Sequence, residues 1–274
     1  MQKNRLFVAN KPSKISSNLF LSRLKRKYGV KKAGFSGTLD PFASGCLIVA
    51  FGEFTKLFRF FKKEPKVYEA TIWLGAKSES LDNENIQEVE KILPFQIDDI
   101  RIIVDDLKGE IEFIPPKFSA KKVDGKRAYE LARKGKEFEL KTSKMHIFKS
   151  EILHYKHPFL KLRLEVSEGA YIRSYAEIFS KKLGIKATLS ALERLNEGDF
   201  KFEDEKELNP LNFLNLKENF YLKDYSDFEF GKKLEKNSFQ NTDIGQYIIN
   251  LGKFYSIVEI KENSVIYLLN KVEI

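Results

Sequence analysis

A single cysteine, Cys46, occurs in the chain. One cysteine excludes an internal disulfide and a multi-cysteine zinc site. It lies in the apolar run CLIVAF, where a small core residue belongs. Histidine is scarce too: His146, His154 and His157 cluster in sequence but carry no ligand motif, so no metal is expected. No run of about 18 apolar residues occurs, which excludes a membrane-spanning helix. The opening MQKNRLFVANKP lacks the apolar stretch of a secretory leader, so a soluble, cytoplasmic protein is expected. There is no nucleotide-binding glycine fingerprint, no internal repeat and no low-complexity tract; no cofactor is expected.

What is present is apolar content and positive charge. Hydrophobic residues make up 42% of 274, enough for one large domain or a large and a small one. The formal net charge of +9 favours a polyanionic partner, nucleic acid or an anionic membrane surface. Arg23, Lys25, Arg26, Lys27, Lys31 and Lys32 form one basic cluster. Lys117, Lys121, Lys122, Lys126, Arg127, Arg133, Lys134 and Lys136 form a second, interleaved with Phe118 and Tyr129. Basic residues mixed with aromatics suit RNA, because backbone charge and base stacking are both served. Such runs also suit a solvated face. A membrane surface would require a basic amphipathic helix, and the second cluster contains a glycine turn instead.

Periodicity outlines the elements. NRLFVAN and CLIVAF read as strands, and GEFTKLFRFF as the start of a short helix. SSNLFLSRLKRKYG reads as a helix capped by Ser16 or Ser17, with Phe20, Leu21, Leu24 and Tyr28 on one face and Gly29 at the stop. VYEATIWLG alternates, placing Tyr68, Ala70, Ile72 and Leu74 on the more apolar side. AKSESLDNENIQ reads as a polar loop. IDDIRIIVDDLKG reads as a helix with Ile97, Ile100, Ile103, Val104 and Leu107 inward and Gly109 at the stop. Asp124-Gly125 predicts a tight turn before the short helix AYELARKG. FLKLRLEVSEG alternates, and AYIRSYAEIFSKKLG is a helix with Ile172, Ala176, Phe179 and Leu183 buried. From about residue 205 the texture changes: LNPLNFLNLKENF reads as a connector, followed by three strand-like runs.

Three residues stand out. Asp40 sits in AGFSGTLDPFASG (33–45), a loop whose glycines permit unusual backbone angles and whose Pro41 restrains the acid. The stretch presents one carboxylate; it also fits a turn in which Asp40 caps a helix. Tyr68 fits either a core ring or a phenol in a dry pocket. Arg173 begins a helix, the wrong end for a cation. It fits an i,i+4 pair with Glu177 or a carboxylate from elsewhere in the fold.

Together these residues resemble the TruB family of tRNA pseudouridine synthases. The likeness is carried by KPSKISSN (11–18), AGFSGTLDPFASGCLIVAFGEFTK (33–56), KVYEATIWLG (66–75), IPPKFSAKKVDGKRAYELARKG (114–135) and EGAYIRSYAEIFSKKLG (168–184), in the family's order over about two thirds of the chain. The resemblance implies an α+β fold: a mixed, mainly antiparallel catalytic domain over 1–208, a thumb-like RNA-binding insertion at about 114–141, and a connector plus small β-rich PUA-like domain over 209–274. It implies that Asp40 is the catalytic aspartate, that Tyr68 stacks on the uracil and serves the final proton transfer, and that Arg173 pairs with Asp40 and holds it ionised. Lys11, Phe35, Lys56, Lys121, Lys122, Lys126, Arg127 and Tyr171 would contact RNA or border the pocket, with Pro12, Gly37 and Leu192 as motif positions. The family has His where this chain has Phe35, which can stack on or wedge between bases but cannot hydrogen-bond through its side chain.

The implied activity is isomerisation of uridine to pseudouridine at position 55 in the tRNA T-loop. The implied substrate is the tRNA T-arm, with no cofactor, no membrane, no obligatory protein partner and a monomeric enzyme. Pseudouridine formation in another RNA, guided or not, and an RNA-binding protein without catalysis are the alternatives. The conjunction of Asp40, Tyr68 and Arg173 argues against the last, since an RNA clamp needs none of that set.

Overall fold

Alternating apolar side chains build a central sheet, and the computed structural model describes residues 4–273. In chain order come β1 (Arg5–Lys11), α1 (Ser17–Lys27), β2 (Ala33–Ser36), β3 (Ser44–Phe51), a 3-10 helix (Gly52–Phe60) and β4 (Lys66–Leu74). A short pair, β5 (Ala76–Ser78) and β6 (Ile86–Val89), precedes α2 (Ile97–Asp106) and β7 (Gly109–Phe113). Next are a hairpin of β8 (Lys122–Val123) and β9 (Lys126–Arg127), then α3 (Ala128–Arg133). Asp124 and Gly125 both take positive φ in its turn, as a two-residue hairpin of this hand requires. β10 (Ser143–Lys156), β11 (Phe159–Val166), α4 (Ile172–Lys182), β12 (Ala187–Glu197) and β13 (Phe200–Lys201) complete the larger unit.

The main sheet runs β1-β3-β12-β4-β11-β10-β7, with β2 added to β3 and β13 to β12. Its pairings are antiparallel except one: β12 meets β3 in parallel, Glu193 opposite Ser44 and Arg194 opposite Gly45. That stitch brings a late strand to the end of the Asp40 loop. On β4 every second residue from Tyr68 to Leu74 is buried, as the alternation requires. These side chains pack with Leu160, Leu162 and Leu164 of β11 under Tyr175, Ala176 and Phe179 of α4 and Ile100 and Val104 of α2. α1 covers β1 and β3 through Leu24, with Phe20, Leu21 and Tyr28 beside it. The fold is α+β and mainly antiparallel.

Three local expectations need correction. The polar stretch 76–87 is not simply a loop: it forms β5 and β6, and Ser78, Ser80 and Asp82 are buried. Buried hydroxyls there bond one another and the backbone, so hydropathy misses them. α2 closes at Leu107, leaving Gly109 to open β7 rather than end the helix. Ile97, in its first turn, stays exposed because the helix meets the core only further on.

At the C-terminal end, β14 (Lys217–Glu218), α5 (Ser226–Glu229), β15 (Gly245–Asn250), β16 (Phe254–Ile260) and β17 (Val265–Glu273) form a second sheet in the order β14-β15-β16-β17. It does not stand apart. Tyr255, Ile257 and Val272 join Leu6, Val8, Phe54 and Leu57 in one apolar cluster. The segment between the two sheets packs into it as well, with Phe213 stacked on Phe200 at 4.2 Å. Cys46 lies in the same cluster, and burial pushes its thiol up to about 12, which leaves it unreactive.

Candidate active site

The Asp40 loop hangs between β2 and β3 and is pinned from both sides. The Leu39 N–H donates to Ser17 Oγ (3.0 Å), and Ser17 Oγ donates back to the Leu39 carbonyl (3.1 Å). Ser17 is the first residue of α1, so the helix start holds the residue before the acid. Gly37 takes φ +68°, a conformation that L side chains resist. Asp40 itself remains partly open, its side chain 30% exposed against 2% for Arg173.

Arg173 resolves the puzzle of a cation at a helix start. Its guanidinium reaches Asp40 Oδ2 at 2.7 Å and Asp82 Oδ2 at 3.6 Å. It also donates to the Ser80 carbonyl (2.8 Å) and the Phe118 carbonyl (3.0 Å). Glu177, the alternative partner, pairs with Lys181 instead. Two carboxylates and two carbonyls from three distant segments offset the unfavourable helix dipole, which is worth at most about 2 kcal/mol. Asp82 is held by Ser80 Oγ (2.5 Å) and the Glu84 N–H (3.0 Å). Burial raises its pKa, with Ser80 and Arg173 opposing the rise.

A cavity of about 270 Å3 opens on this pair. Such a volume is near the lower end for small-ligand pockets, roughly 300 Å3, and suits a single nucleoside rather than a strand. Asp40, Tyr68, Tyr171, Arg173, Lys121 and Leu192 all line it, and Gly37 forms part of its wall. Burial pushes the Tyr171 phenol above its ordinary value, and the Asp40 charge adds to that. Among the described residues no cluster of three His, Cys, Asp or Glu is placed to hold a metal ion.

Other sequence candidates lie elsewhere. Lys11 is not a surface contact for RNA: it is fully buried, its Nζ donating to the carbonyls of Pro12 (2.9 Å) and Ile15 (2.7 Å). Position 11 faces inward on β1, so the ammonium turns a corner of the chain while Pro12 is exposed. Phe35 is half-buried against the α1 side of the sheet and does not line the cavity. Lys56 pairs with Glu53 on the 3-10 helix. Lys122, Lys126 and Arg127 are exposed on the β8–β9 hairpin.

Burial lowers the Lys11 pKa to about 8; Asp40 acts against this and Arg194 adds to it. Between that value and the ordinary 10.5, the unfolded chain holds a proton that the folded protein has released. Unfolding therefore takes up a proton there, and the contribution of Lys11 to stability rises with pH across the window. Urea denaturation from pH 8 to 10.5 is expected to show wild type gaining stability relative to Lys11→Met; parallel curves would contradict it.

Sequence reasoning missed Asp82, Lys66, Arg194 and Glu197. Asp82 gave no signal within a run of polar residues. Arg194 gave one: alternation on β12 puts it on the inward face with Leu192.

A mainly antiparallel sheet thus carries a loop carboxylate, a buried arginine on it and a tyrosine lining the same cavity, an arrangement suited to chemistry on a single base. Comparison with known proteins agrees. The N-terminal domain of TruB family pseudouridylate synthases matches residues 25–172. The chain is 60% identical over 270 residues to the tRNA pseudouridine synthase B of Campylobacter concisus (strain 13826), covering 98% of this chain and 99% of that protein. It is 56% identical to the protein of the same name from Campylobacter jejuni (strain RM1221), with the same coverage. A chain in the crystal structure of a Cbf5-Nop10-Gar1 complex shares the fold, with a TM-score of 0.68 at 19% identity over 98% of this chain and 84% of that one. The chain belongs to the TruB family of pseudouridylate synthases, and it converts uridine to pseudouridine.

Proposed function

We propose that this enzyme isomerises one uridine of tRNA, at position 55 in the T-loop, with Asp40 as the reacting carboxylate, Arg173 as its partner and Tyr68 as the proton relay. The observation that carries the reading is the Asp40–Arg173 pair at 2.7 Å on the wall of the cavity that Tyr68 lines. The tRNA substrate is supported by the name borne by relatives at 56–60% identity over nearly the whole chain.

The C1′–N1 bond breaks, the base turns, and C1′ rejoins through C5. C5 then loses a proton and N1 gains one, so no atom is added or removed overall. An ionised carboxylate serves this by attacking the nucleoside or by stabilising positive charge at the sugar. Arg173 pairs with that carboxylate and keeps it in place. The Tyr68 phenol, 7% exposed, is placed to take the proton from C5 away from bulk water.

A uridine inside a folded loop reaches such a cavity only by flipping, at a cost of a few kcal/mol. The segment 114–141 serves as the RNA grip, with Lys122, Lys126 and Arg127 toward the backbone. It is tied to the catalytic pair, because its Phe118 carbonyl accepts from Arg173 and its Lys121 reaches the cavity wall. The C-terminal sheet is the second module of this reading, and a single copy of the chain suffices for activity.

The test is tritium release from C5-labelled uridine in an unmodified tRNA transcript. Release is expected from the wild-type transcript. None is expected when the T-loop uridine at position 55 is replaced by cytidine. Continued release from the cytidine transcript would overturn the site assignment.

A further inference from the structure

Beneath the cavity lies a second ionic cluster that the chemistry above does not use. Arg194 is 2% exposed and Glu197 is fully buried, and they pair at 2.7 Å. Lys66 Nζ lies 3.2 Å from the other carboxylate oxygen of Glu197. A buried ion cluster of this kind adds little net stability compared with apolar residues of the same volume, because desolvation offsets the attraction. Its value has to be sought in what it holds.

The guanidinium of Arg194 joins three parts of the site. Its Nε donates to the Cys46 carbonyl of β3 (2.9 Å), at the far end of the Asp40 loop. Its terminal nitrogen donates to the Gly37 carbonyl (2.7 Å), three residues before Asp40. On its third side it meets the Tyr68 hydroxyl: Arg194 and Tyr68 sit directly opposite on β12 and β4, so their side chains share a face. Both Arg194 and Lys66 reach the cavity wall.

The two glycines that bracket the loop fit the same cluster. A side chain at Gly37 would put its Cβ 2.5 Å from Glu197 Oε1. One at Gly45 would put it 2.2 Å from the Arg194 carbonyl. Each position also has positive φ. The backbone of the loop therefore lies directly on the Arg194–Glu197 segment at both ends, closer than any side chain would allow.

We infer that Arg194, held by Glu197, is a positioning residue for the isomerisation: it fixes the backbone of the Asp40 loop at Gly37 and the hydroxyl of Tyr68 in one geometry. This rests on the assignment of Tyr68 as proton relay. Lysine at 194 keeps the charge but cannot reach the Gly37 carbonyl, the Cys46 carbonyl and Tyr68 together, since a point charge does not replace a planar fork.

The experiment measures single-turnover tritium release and tRNA dissociation constants for wild type, Arg194→Lys, Tyr68→Phe and the double variant. For Arg194→Lys, a dissociation constant within threefold of wild type and a rate at least thirtyfold lower are expected. In the Tyr68→Phe protein the same substitution is expected to cost clearly less, because part of its effect is already absent. Glu197→Gln, which keeps the shape and one acceptor, is expected to show the same split with a smaller loss, and it carries the test if Arg194→Lys fails to fold. A wild-type rate in Arg194→Lys, a loss of rate and binding in equal measure, or fully multiplicative losses in the double variant would overturn the inference. Full activity in Tyr68→Phe alone would instead sink the relay assignment, and the rate-against-binding split of Arg194→Lys would still report on the loop.

Discussion

Asp40→Asn is expected to lower pseudouridine formation by more than ~10^3-fold while tRNA binding stays within a few-fold of wild type. The substitution is isosteric. It removes the only negative charge on a loop whose backbone is already held by Ser17 at Leu39 and by Arg194 at Gly37. The amide can still turn its oxygen to Arg173, so the contact is kept and the charge alone is lost. Arg173 keeps Asp82 and the carbonyls of Ser80 and Phe118, so the helix start and the RNA-facing insertion stay in place. Parallel measurement of tritium release and filter binding decides the matter. Equal loss of both would make Asp40 a structural residue.

The second large effect is expected at Arg173. Arg173→Lys should slow the reaction by at least ~10^2-fold and also destabilise the fold by about 2 kcal/mol. The guanidinium serves four oxygens from the Asp40 loop, the 76–87 stretch and the 114–141 insertion. An ammonium on a flexible stem reaches one or two of them and leaves buried acceptors without a donor. The two consequences separate this variant from Asp40→Asn: thermal melting should fall for Arg173→Lys and hold for Asp40→Asn. Full turnover in Arg173→Lys would remove the arginine from the mechanism.

The two residues differ in how far the chain announced them. Asp40 stood out through its setting of glycines and a following proline. Arg173 stood out as a local misfit, a cation at the positive end of a helix, and a misfit asks for a partner at a distance. The partner proved to be two carboxylates. The second, Asp82, lies in a stretch whose serines and acids looked solvent-bound, because hydropathy records the polarity of a side chain and not whether another polar group satisfies it. Lys11 shows the same limit in reverse. The resemblance put it among residues that contact RNA or border the pocket, and hydropathy counts a lysine as a surface residue, yet two carbonyls within reach allow it to be buried.

Local order was therefore written in the sequence itself. The alternation of β4 and β11, the faces of α1 and α4, the Asp124-Gly125 hairpin and the lone acid of the loop follow from side-chain period, glycine and proline, all of which act over a few residues. The tertiary structure alone decided which strand lies beside which. Inserting β12 between β3 and β4 brings Arg194 under Gly37 and against Tyr68, and it is the crossing of segments more than a hundred residues apart that turns separate charged residues into one site. No local period encodes that crossing, because its driving force is the burial of a whole sheet face and the pairing of charges that meet only once the sheet has closed.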